Sequence, residues 1–130
     1  GGGAMACPVQ GALAFTNDWG QPRSGGRTHK GNDLFSPRGT PNVAVVDGRI
    51  SFANEGTGGI SAYLAGSNGI TYYYTHLNDT VGSPRSVSRG EVIGHTGSTG
   101  NARGGATHTH FEIRQGGTKV NPYSTLRSIC

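Results

Sequence analysis

Thr107-His108-Thr109-His110-Phe111-Glu112-Ile113 places two imidazoles and a carboxylate two residues apart in a run that alternates polar and apolar side chains. Alternation of period two is the signature of a strand, so His108, His110 and Glu112 share one face while Thr107, Thr109, Phe111 and Ile113 share the other. Imidazoles on adjacent pleats can meet at one metal ion. Upstream, His29 is followed four residues later by Asp33, and His76 ends the tyrosine-rich run Tyr72-Tyr73-Tyr74-Thr75. Together these segments offer four imidazoles and, from Asp33, a carboxylate to join them, enough for a zinc ion with three protein ligands, an open coordination position and spare acid–base groups. Spacing alone leaves open which histidine of the 108/110 pair would hold the metal.

Such residues lie far apart in sequence and need a rigid frame to bring them together. Glycine is abundant, with 24 in 130 residues, but has no collagen-like or linker-like period. Short runs of Tyr, Val, Ile and Thr separate the glycines, as expected for many tight turns between strands. The reading is a single all-β domain with almost no helix. Ala12–Thr16 is expected to be a short strand, and Trp19 a packing anchor. Gly31-Asn32 places a turn between His29 and Asp33, so that both side chains converge. Asp47-Gly48 between Val43–Val46 and Arg49–Ala53 reads as a hairpin, and Ser67-Asn68-Gly69 as a second one joining Ile60–Ala65 to Ile70–His76. In the second hairpin Ile70, Tyr72, Tyr74 and His76 fall on one face, which makes Tyr74 a candidate for positioning substrate. Asn78–Arg89 reads as loop, Glu91–His95 as a short strand with His95 in solvent, and Gly94–Gly105 as a pliable wall beside the site. Ser124–Ile129 is expected to form one helical turn.

Composition narrows the function classes. A net charge of +4, from 11 Lys plus Arg against 7 Asp plus Glu, is spread without a basic run or an RNA-binding signature. That is a weak pull toward anionic surfaces, including anionic wall polymers, and selects no nucleic acid. No apolar stretch approaches the roughly 18 residues of a membrane span. Cys7 and Cys130 bracket the chain and suit a disulfide tying its ends in an oxidising compartment. Residues 1–6, GGGAMA, read as a cloning remnant, leaving 7–130 as the domain.

The run from Gly25 through Thr40-Pro41 with His29 and Asp33, then Tyr74-Thr75-His76-Leu77, Gly97–Gly100 and His108–Ile113, resembles the lysostaphin/LytM-type zinc endopeptidases. The resemblance covers nearly all of Pro8–Pro122 in motif order. It implies an antiparallel β-sheet of duplicated hybrid motif type, with long loops around a zinc cleft. It also implies a secreted or cell-envelope monomer that cuts peptide bonds in bacterial peptidoglycan. Carried over position by position, it makes His29, Asp33 and His110 the ligands of one zinc per chain, and His76 and His108 the catalytic pair. His108 would accept the proton of the attacking water, and His76 would donate to the developing oxyanion. The resemblance departs at Thr109, where the family usually carries an aliphatic residue, on the face turned away from the site. Two rivals are a wall-binding or hydrolase-activating module without turnover, and a structural zinc domain. The second predicts four protein ligands and no spare histidines.

Overall fold

The computed structural model describes residues 4–130, so the first three residues of the expected remnant lie outside the described range. Nine strands pair antiparallel throughout: β1 Asn32–Phe35, β2 Pro41–Val43, β3 Gly48–Glu55, β4 Gly59–Gly66, β5 Thr71–Thr80, β6 Arg85–Val87, β7 Val92–Thr96, β8 His108–Gln115 and β9 Thr118–Val120. Their order is β1-β8-β5-β4-β3-β6, with β9 on β8, and β7 joining β5 to β2. One helix, α1 Tyr123–Ile129, and two 3-10 turns, Ser24–Gly26 and Gly100–Ala102, complete the described secondary structure. The expected all-β architecture is therefore the one observed, and the helical turn near the carboxyl end forms.

The period of β8 decides which side of the sheet is core. Thr109, Phe111 and Ile113 are buried against Tyr72 and Tyr74 of β5, Leu64 of β4 and Ile50 of β3, while His108 and His110 face a cleft. Each large apolar side chain so enclosed contributes roughly 1.5–3 kcal/mol, which fixes the register, because a one-residue slip would turn the histidines into the core. β8 lies between β1 and β5, so its polar face belongs to an interior strand.

The Asp47-Gly48 hairpin does not form. Val43, Ala44 and Val45 are enclosed on every side, whereas a hairpin arm of this sheet needs one wet face. β2 therefore ends at Val43 and pairs with β7, and Ala44 exchanges backbone hydrogen bonds with Glu91 and Gly90. Gly48 serves close strand approach: a Cβ there would lie 2.3 Å from the Ala65 carbonyl oxygen. Two further expectations change. Ala12–Thr16 makes only the Ala14–Phe35 bridge, and the 78–89 loop is shortened by β5 running to Thr80 and by β6.

The second hairpin forms with Leu64 opposite Tyr72 and Ala62 opposite Tyr74. Its alternation breaks at His76, whose φ of 62° is the one left-handed non-glycine value among the described residues. That turn, beside register shifts on both flanks of β5, moves His76 off the face of Tyr72 and Tyr74 and onto that of Tyr73 and Thr75. Cys7 and Cys130 form a disulfide with Cα atoms 5.0 Å apart. Just ahead of Cys7, Met5 packs against the core and the Ala6 N–H donates to the Val45 carbonyl at 2.9 Å.

Candidate active site

Strand register sets the centre of the cleft. Asp33 on β1 lies directly opposite His110 on β8, and His110 opposite Thr75 on β5. His29 arrives from the loop before β1, anchored by backbone hydrogen bonds to Gln21 and Gly20 at 2.8 and 2.7 Å. The turn at Gly31 works as expected and for a stricter reason. A Cβ there would come within 2.6 Å of the Phe111 carbonyl and 2.7 Å of the His110 ring, so only glycine lets the two histidines close.

His29 Nε2, Asp33 Oδ1 and His110 Nδ1 converge, with separations of 3.0, 3.3 and 2.8 Å. The other ring nitrogens show why this point demands a cation. His29 Nδ1 donates to the Asp18 carbonyl at 3.2 Å, and His110 Nε2 donates to the Glu112 carboxylate at 2.8 Å. In the neutral rings, both remaining nitrogens therefore aim lone pairs at the Asp33 oxygen. Three acceptors facing one another repel unless a proton or a metal sits among them. Without metal a proton fills this role: burial would lower the His29 pKa, but hydrogen bonds and charge from Asp18 and Asp33 raise it to about 9. Burial likewise opposes ionisation of Asp33, yet hydrogen bonds from His110 and His29 hold its carboxyl far below the usual range. Donors around a tetrahedral zinc at ~2.0–2.1 Å sit roughly 3.3 Å apart, so the observed set fits that ion with little adjustment.

Two more histidines border the same cleft, of about 750 Å³. His108 Nδ1 donates to the Ala106 carbonyl at 2.9 Å, and His76 Nδ1 to the Thr99 carbonyl at 2.8 Å. Each neutral ring thus keeps Nε2 as a free acceptor, with His108 Nε2 3.8 Å from Asp33 Oδ1 and the two rings 5.0 Å apart. Burial and the neighbouring His108 and His110 lower the His76 pKa to about 4. The oxyanion-donor role expected for His76 needs a hydrogen on Nε2. With Nδ1 committed to Thr99, the neutral ring has none there.

Tyr74 does not reach the cleft. It is fully buried, donates to the Val43 carbonyl at 2.9 Å and accepts from the Val45 N–H, so its role is to tie β5 to the segment after β2. Tyr73 lines the cleft instead, because the core side of β5 runs through Tyr72 and Tyr74. His95 pairs with Asp79 and takes no part in the cleft. Sequence reasoning passed over Asp18, whose carboxylate also accepts from the Asn32 side chain at 3.0 Å and the Asp33 N–H at 3.2 Å. Asp18 sits in a loop with no periodic signal. Glu112 was legible as a member of the cleft face, but not as the group that turns His110.

Comparison with known proteins identifies a family. The model of peptidase family M23 matches residues 27–122. The DD-carboxypeptidase/endopeptidase Mpg of Neisseria meningitidis serogroup B is 40% identical over 99 residues, 75% of this chain and 23% of that protein. The murein hydrolase activator NlpD of Salmonella dublin is 36% identical over 102 residues, 75% of this chain and 26% of that protein. The chain thus spans about a quarter of the length of these curated relatives. The crystallised catalytic domain of lysostaphin from Staphylococcus simulans superposes with a TM-score of 0.77 at 30% identity, covering 88% of this chain and 92% of that one. M23 peptidases are zinc-dependent. With its matched span holding His29, Asp33, His76, His108 and His110 in one cleft, the chain belongs to peptidase family M23.

Proposed function

We propose that the protein is a zinc endopeptidase that hydrolyses peptide bonds in the stem peptides or cross-bridges of bacterial peptidoglycan. The observation that carries this reading is the convergence of three acceptor atoms on one point, flanked by two histidines with free Nε2 atoms. His29, Asp33 and His110 would hold the metal. Zinc bound there would lower the pKa of a water toward ~7 and polarise the scissile carbonyl. His108 Nε2 accepts the proton of the attacking water as its oxygen bonds to the carbonyl carbon. His76 Nε2 accepts a second hydrogen bond from that water and orients it, a role its neutral ring can fill. As the C–N bond breaks, His108 returns the proton to the leaving amine nitrogen.

On this reading the protein works as a monomer, secreted or in the cell envelope, on an anionic polymer network. Its net positive charge and the Cys7–Cys130 disulfide suit that setting. Among the described residues no helix is long and apolar enough to cross a membrane. The likeness to NlpD supports a second reading, a module that binds wall and activates another hydrolase. Complete donor and histidine sets favour turnover, since a binding module needs neither. The test is release of soluble fragments from purified sacculi by zinc-loaded protein, with the cleaved bond identified by mass spectrometry. Wall binding without release, at full zinc occupancy, would leave the activator reading standing.

A further inference from the structure

At the far end of the cleft from His29, Glu55 closes β3 beside two tyrosines. Tyr63 of β4 and Tyr73 of β5 both donate their hydroxyls to its carboxylate, Tyr73 at 3.0 Å. The rings of the two tyrosines lie 4.4 Å apart, and Glu55 and Tyr73 line the cleft together with Thr75, His76 and His110. Glu55 differs from the other acids of this cleft, because no lysine, arginine or histidine comes within salt-bridge distance of it among the described residues. The two nearby cations pair with Glu112, Arg114 at 2.7 Å and Lys119 at 3.6 Å, and the Arg114 guanidinium also covers the ring faces of Tyr73 and Tyr63, at 4.5 and 5.7 Å, away from their hydroxyls. Two tyrosine hydrogen bonds hold the Glu55 carboxylate in place without neutralising it, and its remaining lone pairs are available to the cleft. Access is kept open by Gly58, where a Cβ would come within 2.8 Å of the Tyr73 hydroxyl.

Resting on the peptidase reading above, we infer that Glu55, seated on Tyr63 and Tyr73, is a specificity subsite for a primary ammonium group on the peptide substrate. A carboxylate framed by phenol oxygens suits a compact, three-donor cation. The position sets its reach. Glu55 stands on β3, two strand spacings or roughly 10 Å of sheet from β5, where Thr75 partners His110, and its carboxylate meets the Tyr73 hydroxyl part-way across. An extended peptide covers roughly 10 Å in about three residues, which places the ammonium on a side chain a few positions from the scissile bond.

The test compares a tetrapeptide carrying lysine at its third position with its Nε-acetyl twin, by calorimetric binding to the metal-free protein, which cannot turn them over. The expected result is about tenfold weaker binding of the acetylated peptide, as for one charge-assisted contact. Glu55→Gln, which keeps an oxygen for the tyrosines, is expected to bring the two peptides to equal affinity. The preference of the unmutated protein is expected to shrink as salt rises from 0.05 to 0.5 M, about the range over which an exposed pair is screened, and this needs no folded variant. Equal affinities in the unmutated protein, no binding of either peptide, or an undiminished preference in Glu55→Gln would each overturn the inference. Zinc-loaded protein on both peptides separates it from the function beneath it. Amine-selective binding without cleavage rejects the peptidase and keeps the subsite, whereas cleavage of both peptides at equal kcat/KM rejects the subsite and keeps the peptidase.

Discussion

His108 and His110, two residues apart on one face of β8, present opposite nitrogens to the cleft. Glu112 takes the Nε2 hydrogen of His110 and leaves Nδ1 facing Asp33, whereas the Ala106 carbonyl takes the Nδ1 hydrogen of His108 and leaves Nε2 facing it. The difference predicts a split. His108→Ala keeps stoichiometric zinc and loses ~10²- to 10⁴-fold in kcat, while His110→Ala loses zinc and activity together. His76→Ala is expected to follow His108→Ala. Elemental analysis alongside turnover on a wall-derived peptide decides, and zinc retained by His110→Ala but lost by His108→Ala would reverse the assignment.

Glu112 should tune the metal without touching it. Glu112→Gln removes the charge that orients His110 and is expected to weaken zinc binding about 10- to 100-fold with the ligand set intact. Competition against a chelator of known affinity measures this, and an unchanged dissociation constant would show that the Glu112 contact is only structural.

The metal-free protein should melt highest near pH 6.5. His29 is raised from 6.5 to about 9, so the stability it contributes is complete below pH 6.5 and is lost as pH rises through 9. His76 is lowered from 6.5 to about 4, so the folded state resists its protonation and stability falls as pH drops from 6.5 toward 4. Asp33, held low, adds stability that is likewise lost on the acid side. Zinc replaces the His29 proton, so the zinc-loaded protein should keep its melting temperature from pH 6.5 to 9. Calorimetric melts in chelator would contradict this if the metal-free curve were flat across that interval.

Tyr74→Phe should cost stability and spare activity. The change strips the hydroxyl from the buried Val43 carbonyl and Val45 N–H, at about 1–3 kcal/mol. Denaturant unfolding reads the loss, and a drop in kcat/KM at full folding would return Tyr74 to the substrate.

Joining residues 123 apart, the Cys7–Cys130 bridge closes nearly the whole chain. Its loss is expected to cost about 4–5 kcal/mol through unfolded-state entropy. A Cys7→Ser/Cys130→Ser double variant should therefore melt roughly 10–20 °C lower. An unshifted melting point would mean that the sheet alone holds the ends.

The parts legible in the sequence were those with a period. Polar–apolar alternation in His108–Ile113 fixed a face, and burial of Thr109, Phe111 and Ile113 enforces it. The Ser67-Asn68-Gly69 hairpin was legible because its arms alternate. Where a single backbone angle overrides the period, extrapolation fails. The φ of 62° at His76 put that residue in the cleft while Tyr74, counted on the same face, stayed in the core. The Val43–Val46 run misled for a related reason, since an unbroken apolar stretch announces burial without saying which strand it joins. Asp18 could not be found at all, because its role rests on a backbone carbonyl and on a loop whose path only the folded chain defines.

With Cys7 and Cys130 only 5.0 Å apart between Cα atoms, the covalent bridge also has a mechanical consequence. Tension applied to the chain from outside these two cysteines passes directly from one sulfur to the other. The strands between them, and the cleft they carry, lie outside the line of force. Pulled by its ends, the bridged domain would stay folded at loads that would unzip β1 from β8 in the reduced protein, so a single-molecule stretch should show an unfolding event only after reduction.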